Sequence, residues 1–111
     1  MHIHEVNKSK FIAISYDVKT KEEVMKILAD LRKEYSDATH VCYAYIINNG
    51  TSAGMSDDGE PSGTAGKPLL SLLQVKKHSN KAVFVIRYFG KARLGASLLL
   101  RSYVNAAKET L

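Results

Sequence analysis

Apolar residues recur along this chain with two different periods, and the switches between them mark out its elements. Phe11-Ile-Ala-Ile-Ser-Tyr-Asp-Val18 is rich in branched and aromatic residues and reads as a strand. His2 to Val6 reads as its hairpin partner across Asn7-Lys8-Ser9. Thr20 then opens a helix, and Glu23 completes a capping box in which hydroxyl and carboxylate each satisfy a backbone N–H. Behind it Val24, Ile27, Leu28, Leu31 and Tyr35 fall on one face at helical spacing. From His40 to Ile47 the period returns to two. Val41, Tyr43, Tyr45 and Ile47 share one side of this strand, and His40, Cys42, Ala44 and Ile46 the other.

Residues 48–54 carry a loop signal. Pro68 suits the first turn of a helix, where its missing N–H is not needed, and that helix reads on through Leu69, Leu72 and Leu73 to about Lys77. Ser79-Asn80 turns the chain into Ala82-Val-Phe-Val-Ile-Arg-Tyr-Phe89, the most apolar strand, which should be central and covered on both faces. After Gly95 a last helix places Ala96, Leu100, Tyr103, Ala107 and Leu111 on one side. The order predicts an α+β fold of two layers, a mixed four-stranded sheet with helices on one face. If strands 40–47 and 82–89 run parallel, the loops 48–67 and 90–95 meet at one edge of the sheet. Arg87 or Arg93 would then neutralise Asp57 or Asp58 on a surface with an acidic rim and a basic floor.

One loop holds more unusual residues than any turn requires. Met55-Ser-Asp-Asp-Gly-Glu-Pro-Ser-Gly-Thr-Ala-Gly66 leads into Lys67-Pro68. Asp57, Asp58 and Glu60 are followed by Gly63 and Gly66, the hydroxyls Ser62 and Thr64, and Lys67. Three readings are open. The glycine amides and the helix start could cradle a phosphate, with Lys67 adding a charge. The three acids could offer hard oxygens to magnesium beside a phosphate; no cofactor is otherwise predicted. The loop could also be a structural turn, in which Asp and Ser side chains bond nearby amides. It is not the nucleotide P-loop: the first glycine of that motif would fall on Pro61, and Pro68 stands where a hydroxyl should bind magnesium.

Charge divides the chain more sharply than its net value of +5 suggests. Residues 1–60 hold seven Lys/Arg and ten Asp/Glu, whereas residues 61–108 hold nine Lys/Arg and no acid. Such a stretch points to an anionic partner: RNA, a ribosomal surface or a phosphate-containing ligand. A solvated basic face is the plainer reading. Arg87, Lys91, Arg93 and Arg101 are the cations of interest, because guanidinium forks match phosphate geometry. Tyr88, Phe89 and Tyr103 could stack on bases, or they could be core while the arginines pair with Asp57, Asp58 and Glu60 without any ligand. His40 and Cys42 lie side by side, but a cysteine between Val41 and Tyr43 reads as buried packing rather than as a nucleophile. His2 and His4 are too few for a zinc site.

The length suits one domain with a proper core. An apolar content of 45% rules out disorder, and the lone Cys42 rules out an internal disulfide. With no membrane-spanning run and no signal-peptide pattern, the expectation is a cytoplasmic protein that binds no membrane.

The segment Ser56 to Gly66, with His40-Val-Cys-Tyr-Ala-Tyr45, Arg87-Tyr-Phe-Gly90, Arg93-Leu-Gly95 and Arg101-Ser-Tyr103, resembles the IMPACT/YigZ family from about Ser9 to the end of the chain. The resemblance implies a ribosomal protein S5 domain 2-like fold. It also implies a link to translation, since eukaryotic members regulate a stress-response kinase pathway, and it implies no known reaction. Two departures stand out: Lys91 replaces a usual second glycine, and Ser97 and Leu98 replace a glycine pair. The chain is read as a single IMPACT-type domain over residues 1–111, the second C-terminal domain frequent in bacterial relatives being absent or removed. The function expected is a non-catalytic, translation-associated regulator that binds RNA or a ribosome-associated partner. The alternatives are an enzyme acting on a phosphorylated small molecule or nucleotide through Asp57–Lys67, and a protein-interaction module without nucleic acid.

Overall fold

A computed structural model describes all residues, 1–111. The chain runs β1 (His2–Val6), β2 (Ser9–Asp17), α1 (Lys21–Glu34), β3 (His40–Ile47), a single 3-10 turn (Asn48–Gly50), β4 (Ser52–Ser56), α2 (Gly66–Val75), β5 (Lys81–Tyr88) and α3 (Ala96–Lys108). The α+β class is as the sequence pattern predicts. Asn7 and Lys8 both take positive φ, which gives the tight turn that a two-residue hairpin needs between β1 and β2. Thr20 caps α1: its Oγ1 accepts the Glu23 N–H at 3.2 Å, while the Glu23 carboxylate accepts the Lys19 N–H at 3.2 Å.

The sheet corrects three expectations. It has five strands rather than four, in the order β1-β2-β5-β3-β4. It is antiparallel throughout rather than mixed. Its helices lie on both faces, making three layers rather than two. Both parities of β5 are apolar and buried, so each face must be covered. On one face Val24, Leu28 and Leu31 of α1 pack against Ile12, Val41, Tyr45, Phe84 and Ile86. On the other, Leu69 and Leu73 of α2 and Leu99, Tyr103 and Ala106 of α3 pack against Phe11, Ala13, Cys42, Val83 and Val85.

The extra strand, β4, explains the change of direction. It folds back on β3 as a hairpin, Tyr43 opposite Ser56, and so returns the chain to the end of β3 where His40 lies. Gly54 lies directly under the Tyr45 ring, where a Cβ would stand 2.4 Å from ring atoms. The ladder to β3 holds a segment as weakly β-forming as Ser-Ala-Gly-Met-Ser, and glycine at position 54 leaves room for the Tyr45 ring. Because β5 runs antiparallel to β3, it ends where β3 begins, with Arg87 opposite His40. The loop after β4 and the loop after β5 therefore meet at one edge, as expected, but through a hairpin and an antiparallel pairing instead of a parallel crossover.

Candidate functional site

Three strands set one row of side chains facing α2 and α3. Arg87 in β5 stands between Phe11 in β2 and His40 in β3. The loop after β4 reaches over this row and lowers Glu60 onto it. Glu60 and Arg87 are both buried, and Arg87 Nη1 donates to Glu60 Oε2 at 2.6 Å. The same carboxylate oxygen accepts the Tyr103 hydroxyl at 2.5 Å, and Glu60 Oε1 lies 3.4 Å from His40 Nε2. Arg87 Nη2 donates to Ser9 Oγ at 3.3 Å, and the guanidinium carbon sits 5.4 Å from the ring centres of both Phe11 and Phe89. Arg87 Nε has no hydrogen-bond partner in the protein, which is uncommon for a buried donor. Pairing and hydrogen bonds together are what make two buried charges tolerable here.

The acids of the loop have separate tasks. The Asp57 carboxylate accepts the N–H groups of Gly63 at 3.0 Å, Ala65 at 3.1 Å and Gly66 at 2.7 Å, so it caps α2 from eight and nine positions upstream. Burial pushes the Asp57 carboxyl up, but those three amides outweigh it and hold its pKa below the ordinary carboxylate value. Asp58 accepts the Val41 N–H at 2.7 Å and pairs with Arg32 of α1 at 3.3 Å. The Asp58 C=O lies 2.7 Å from His40 Nδ1. No three His, Cys, Asp or Glu side chains gather at metal-binding spacing. The expected partnership of Arg87 or Arg93 with Asp57 or Asp58 is corrected: the acid on Arg87 is Glu60, because Asp57 and Asp58 point back into the loop and the β3 edge.

The remaining expected residues spread around this core. Thr64 is buried, and its hydroxyl donates to the Pro61 carbonyl at 2.6 Å. Ser62 is exposed. Lys67 leaves the start of α2 toward a mostly apolar groove of about 440 Å³ that α2 forms with Leu100 and Val104 of α3. Lys91 and Arg93 are exposed in the loop after β5, and Arg101 is exposed on α3, away from both cavities. A second cavity, of about 430 Å³, opens over the ion pair. His40, Glu60, Arg87, Phe89, Arg93 and the first residues of α3 line it.

The side chains that sequence reasoning left out are Ser9 and, in its actual role, His40. Ser9 is fully buried, and its Oγ also accepts the Gly90 N–H at 3.1 Å. Gly90 must be glycine for this approach, since a Cβ would stand 2.6 Å from the Lys8–Ser9 backbone. A serine heading an apolar strand, on the same parity as Phe11, was the available signal. Tyr103 is core, and its hydroxyl also lies 3.3 Å from Cys42 Sγ. Burial pushes both the Cys42 thiol and the Tyr103 phenol up and keeps them protonated, so neither is an activated nucleophile. Tyr88 donates to Asp37 at 2.9 Å, which leaves Phe89, half-exposed, as the aromatic on the cavity.

A three-layer α+β domain, in which a glycine-rich acidic loop drops a glutamate onto a buried strand arginine, is a specific arrangement. The Impact N-terminal domain matches the chain over residues 7–111, and the chain belongs to the IMPACT family. It is 40% identical over 111 residues to the IMPACT family member YvyE of Bacillus subtilis, covering 97% of this chain and 51% of that protein. The chain thus spans about half the length of the curated relatives it matches. A crystal structure of a hypothetical protein superposes with a TM-score of 0.93 at 32% identity, over 97% of this chain and 54% of the other. The two-domain translational regulator Yih1 superposes with a TM-score of 0.61 at 28% identity, over 98% and 45%. No helix is long and apolar enough to cross a membrane.

Proposed function

We propose that this domain is a non-catalytic, translation-associated regulator that binds RNA, free or on the ribosome, through its α2–α3 layer. One observation carries the reading. Of the nine cations between residues 61 and 108, seven are exposed and form no ion pair: Lys67, Lys76, Lys77, Lys91, Arg93, Arg101 and Lys108. By contrast, α1 carries four residues of each sign. A layer with positive charges and no acids of its own to answer them attracts a polyanion and releases counterions when it binds one. Family membership supports the link to translation, since Yih1, of similar fold, is a translational regulator. The non-catalytic part rests on Cys42 and Tyr103 being held protonated and on the loop carboxylates being engaged with the chain's own donors.

Co-sedimentation with ribosomes and filter binding to purified RNA, each at two ionic strengths, test the proposal. Affinity should fall by more than about tenfold between 50 and 200 mM salt if several of these cations meet phosphates. Reversing Lys67, Arg101 and Lys108 together to Glu should abolish binding without unfolding the chain. Undetectable binding at low salt, or binding indifferent to salt, overturns the reading.

A further inference from the structure

The two helices on the basic face begin in opposite states. The start of α2 is filled by the Asp57 carboxylate. The start of α3 is not: Gly95 is its N-cap residue, no side chain caps it, its first turn holds no acid, and its first helical bond runs from the Leu99 N–H to the Gly95 carbonyl. The amides of Ala96, Ser97 and Leu98 are thus left without a carboxylate, whereas in α2 Asp57 takes the amides of the cap residue Ala65 and of Gly66, the first helical residue. An open helix start does not by itself make a site, but here it borders the cavity over the ion pair, where Gly95 and Ala96 lie beside Arg93 and Arg87. Arg87 is 3% exposed, lines this cavity and keeps one donor, Nε, without a partner.

We infer that this cavity is a binding site for a terminal phosphoryl group, that of a phosphate monoester. The charge count favours an anion. Glu60 is the only acid on the cavity wall, and its oxygens are already taken up by Arg87, Tyr103 and His40. Arg87 is matched by Glu60, so Arg93 and the positive end of α3 remain unanswered. A helix start and a guanidinium on the same cavity wall suit an oxygen-rich tetrahedral group better than a flat carboxylate. The half-exposed Phe89 ring, with Leu94 and Leu99, offers an apolar wall for the body that carries the phosphate. The volume of about 430 Å³ falls within the range of small-molecule pockets. This site goes beyond RNA binding by the outer face, which would hold internal phosphates; the cavity asks for a terminal one. A free nucleotide and the 5′ end of an RNA share that chemistry.

The test is calorimetric titration of the whole 111-residue chain at low salt. The probes are a nucleoside 5′-monophosphate against the nucleoside, and a short oligoribonucleotide with a 5′-phosphate against the same with a 5′-hydroxyl. At least one phosphorylated probe should bind more tightly than its partner by about tenfold or more, the scale of a charge-assisted contact. A preference shown only by the nucleotide assigns the site to small phosphate monoesters, and one shown by the oligonucleotide assigns it to RNA ends. Arg93→Ala should weaken that preference. Ala96→Asp supplies α3 with the carboxylate it lacks, so it should remove the preference while leaving the melting temperature unchanged or raised. This keeps loss of the site apart from loss of the fold. No preference in either pair, or a preference that survives Ala96→Asp, overturns the inference. Neither result depends on whether the outer face binds RNA, because the two members of each pair differ only in the terminal phosphate.

Discussion

Two loops border the cavity, and they are built in opposite ways. In the loop after β4 nearly every polar group is answered from within: Asp57 by three amides, Asp58 by Val41 and Arg32, Thr64 by Pro61, and Glu60 by Arg87 and Tyr103. In the loop after β5, Lys91 and Arg93 are exposed and touch no carboxylate, and the helix it leads into starts uncapped. The first loop spends its chemistry on shape, and the second leaves its chemistry facing outward. The loop that looks most like a site in sequence thus has its acids bonded within the chain, and its plainer neighbour holds the free donors.

The contrast can be tested from the deepest residue outward. Glu60→Ala should be the most damaging change, because it strands the buried Arg87 charge. A loss of about 3–5 kcal/mol is expected from denaturant unfolding. A loss below about 1 kcal/mol would show that the pair is solvated and that the first loop is no scaffold.

Asp57→Ala comes next, since it removes a carboxylate that answers three amides. A cost of about 1.5–3 kcal/mol near neutral pH fits hydrogen bonds to a charged group. The folded-state pKa of Asp57 is depressed, so its contribution is fully present above the unfolded value of about 3.9 and is lost as pH falls through the lower folded value. Stability curves of the parent and Asp57→Ala should therefore converge in acid. Curves that stay parallel down to low pH would break the assignment.

Arg93→Ala, in the second loop, should change stability by less than about 0.5 kcal/mol, as expected for an exposed side chain without a partner. A larger cost in thermal or denaturant unfolding would mean that this loop, too, is structural.

Much of the fold was legible because local patterns decided it. β3 runs from His40 to Ile47 as the alternation predicts, and α1 begins behind Thr20 because its hydroxyl and Glu23 meet there. β4 was not legible. Ser52 to Ser56 has no branched residue, and it is held by its ladder to β3, with Gly54 against the Tyr45 ring, a pairing no local pattern encodes. Without β4 the natural inference was a parallel pairing of β3 and β5, and with it a sheet covered on one side. The mixed apolar parity of β5 pointed the other way and carried the truer message. At the site, Arg87 and Glu60 stood out as a charge in an apolar strand and an acid in a glycine-rich loop, but their pairing depends on strand direction. The open start of α3 was visible only as something missing, the polar cap residue and first-turn acid that most helices have.

The position of β5 bears on how the molecule is made. β1–β2 and β3–β4 are hairpins between neighbouring segments, and β5 is the strand that joins them, pairing with β2 on one side and β3 on the other. During synthesis the segments of both hairpins leave the ribosome before residues 81–88, so their inner edges have no partner until β5 follows. Sequence-distant pairing of this kind is slow to form, and unpaired edges are where chains stick to one another. The insertion of β5 closes both edges at once. In the same step it brings Arg87 under Glu60, so the strand that completes the sheet also completes the buried ion pair.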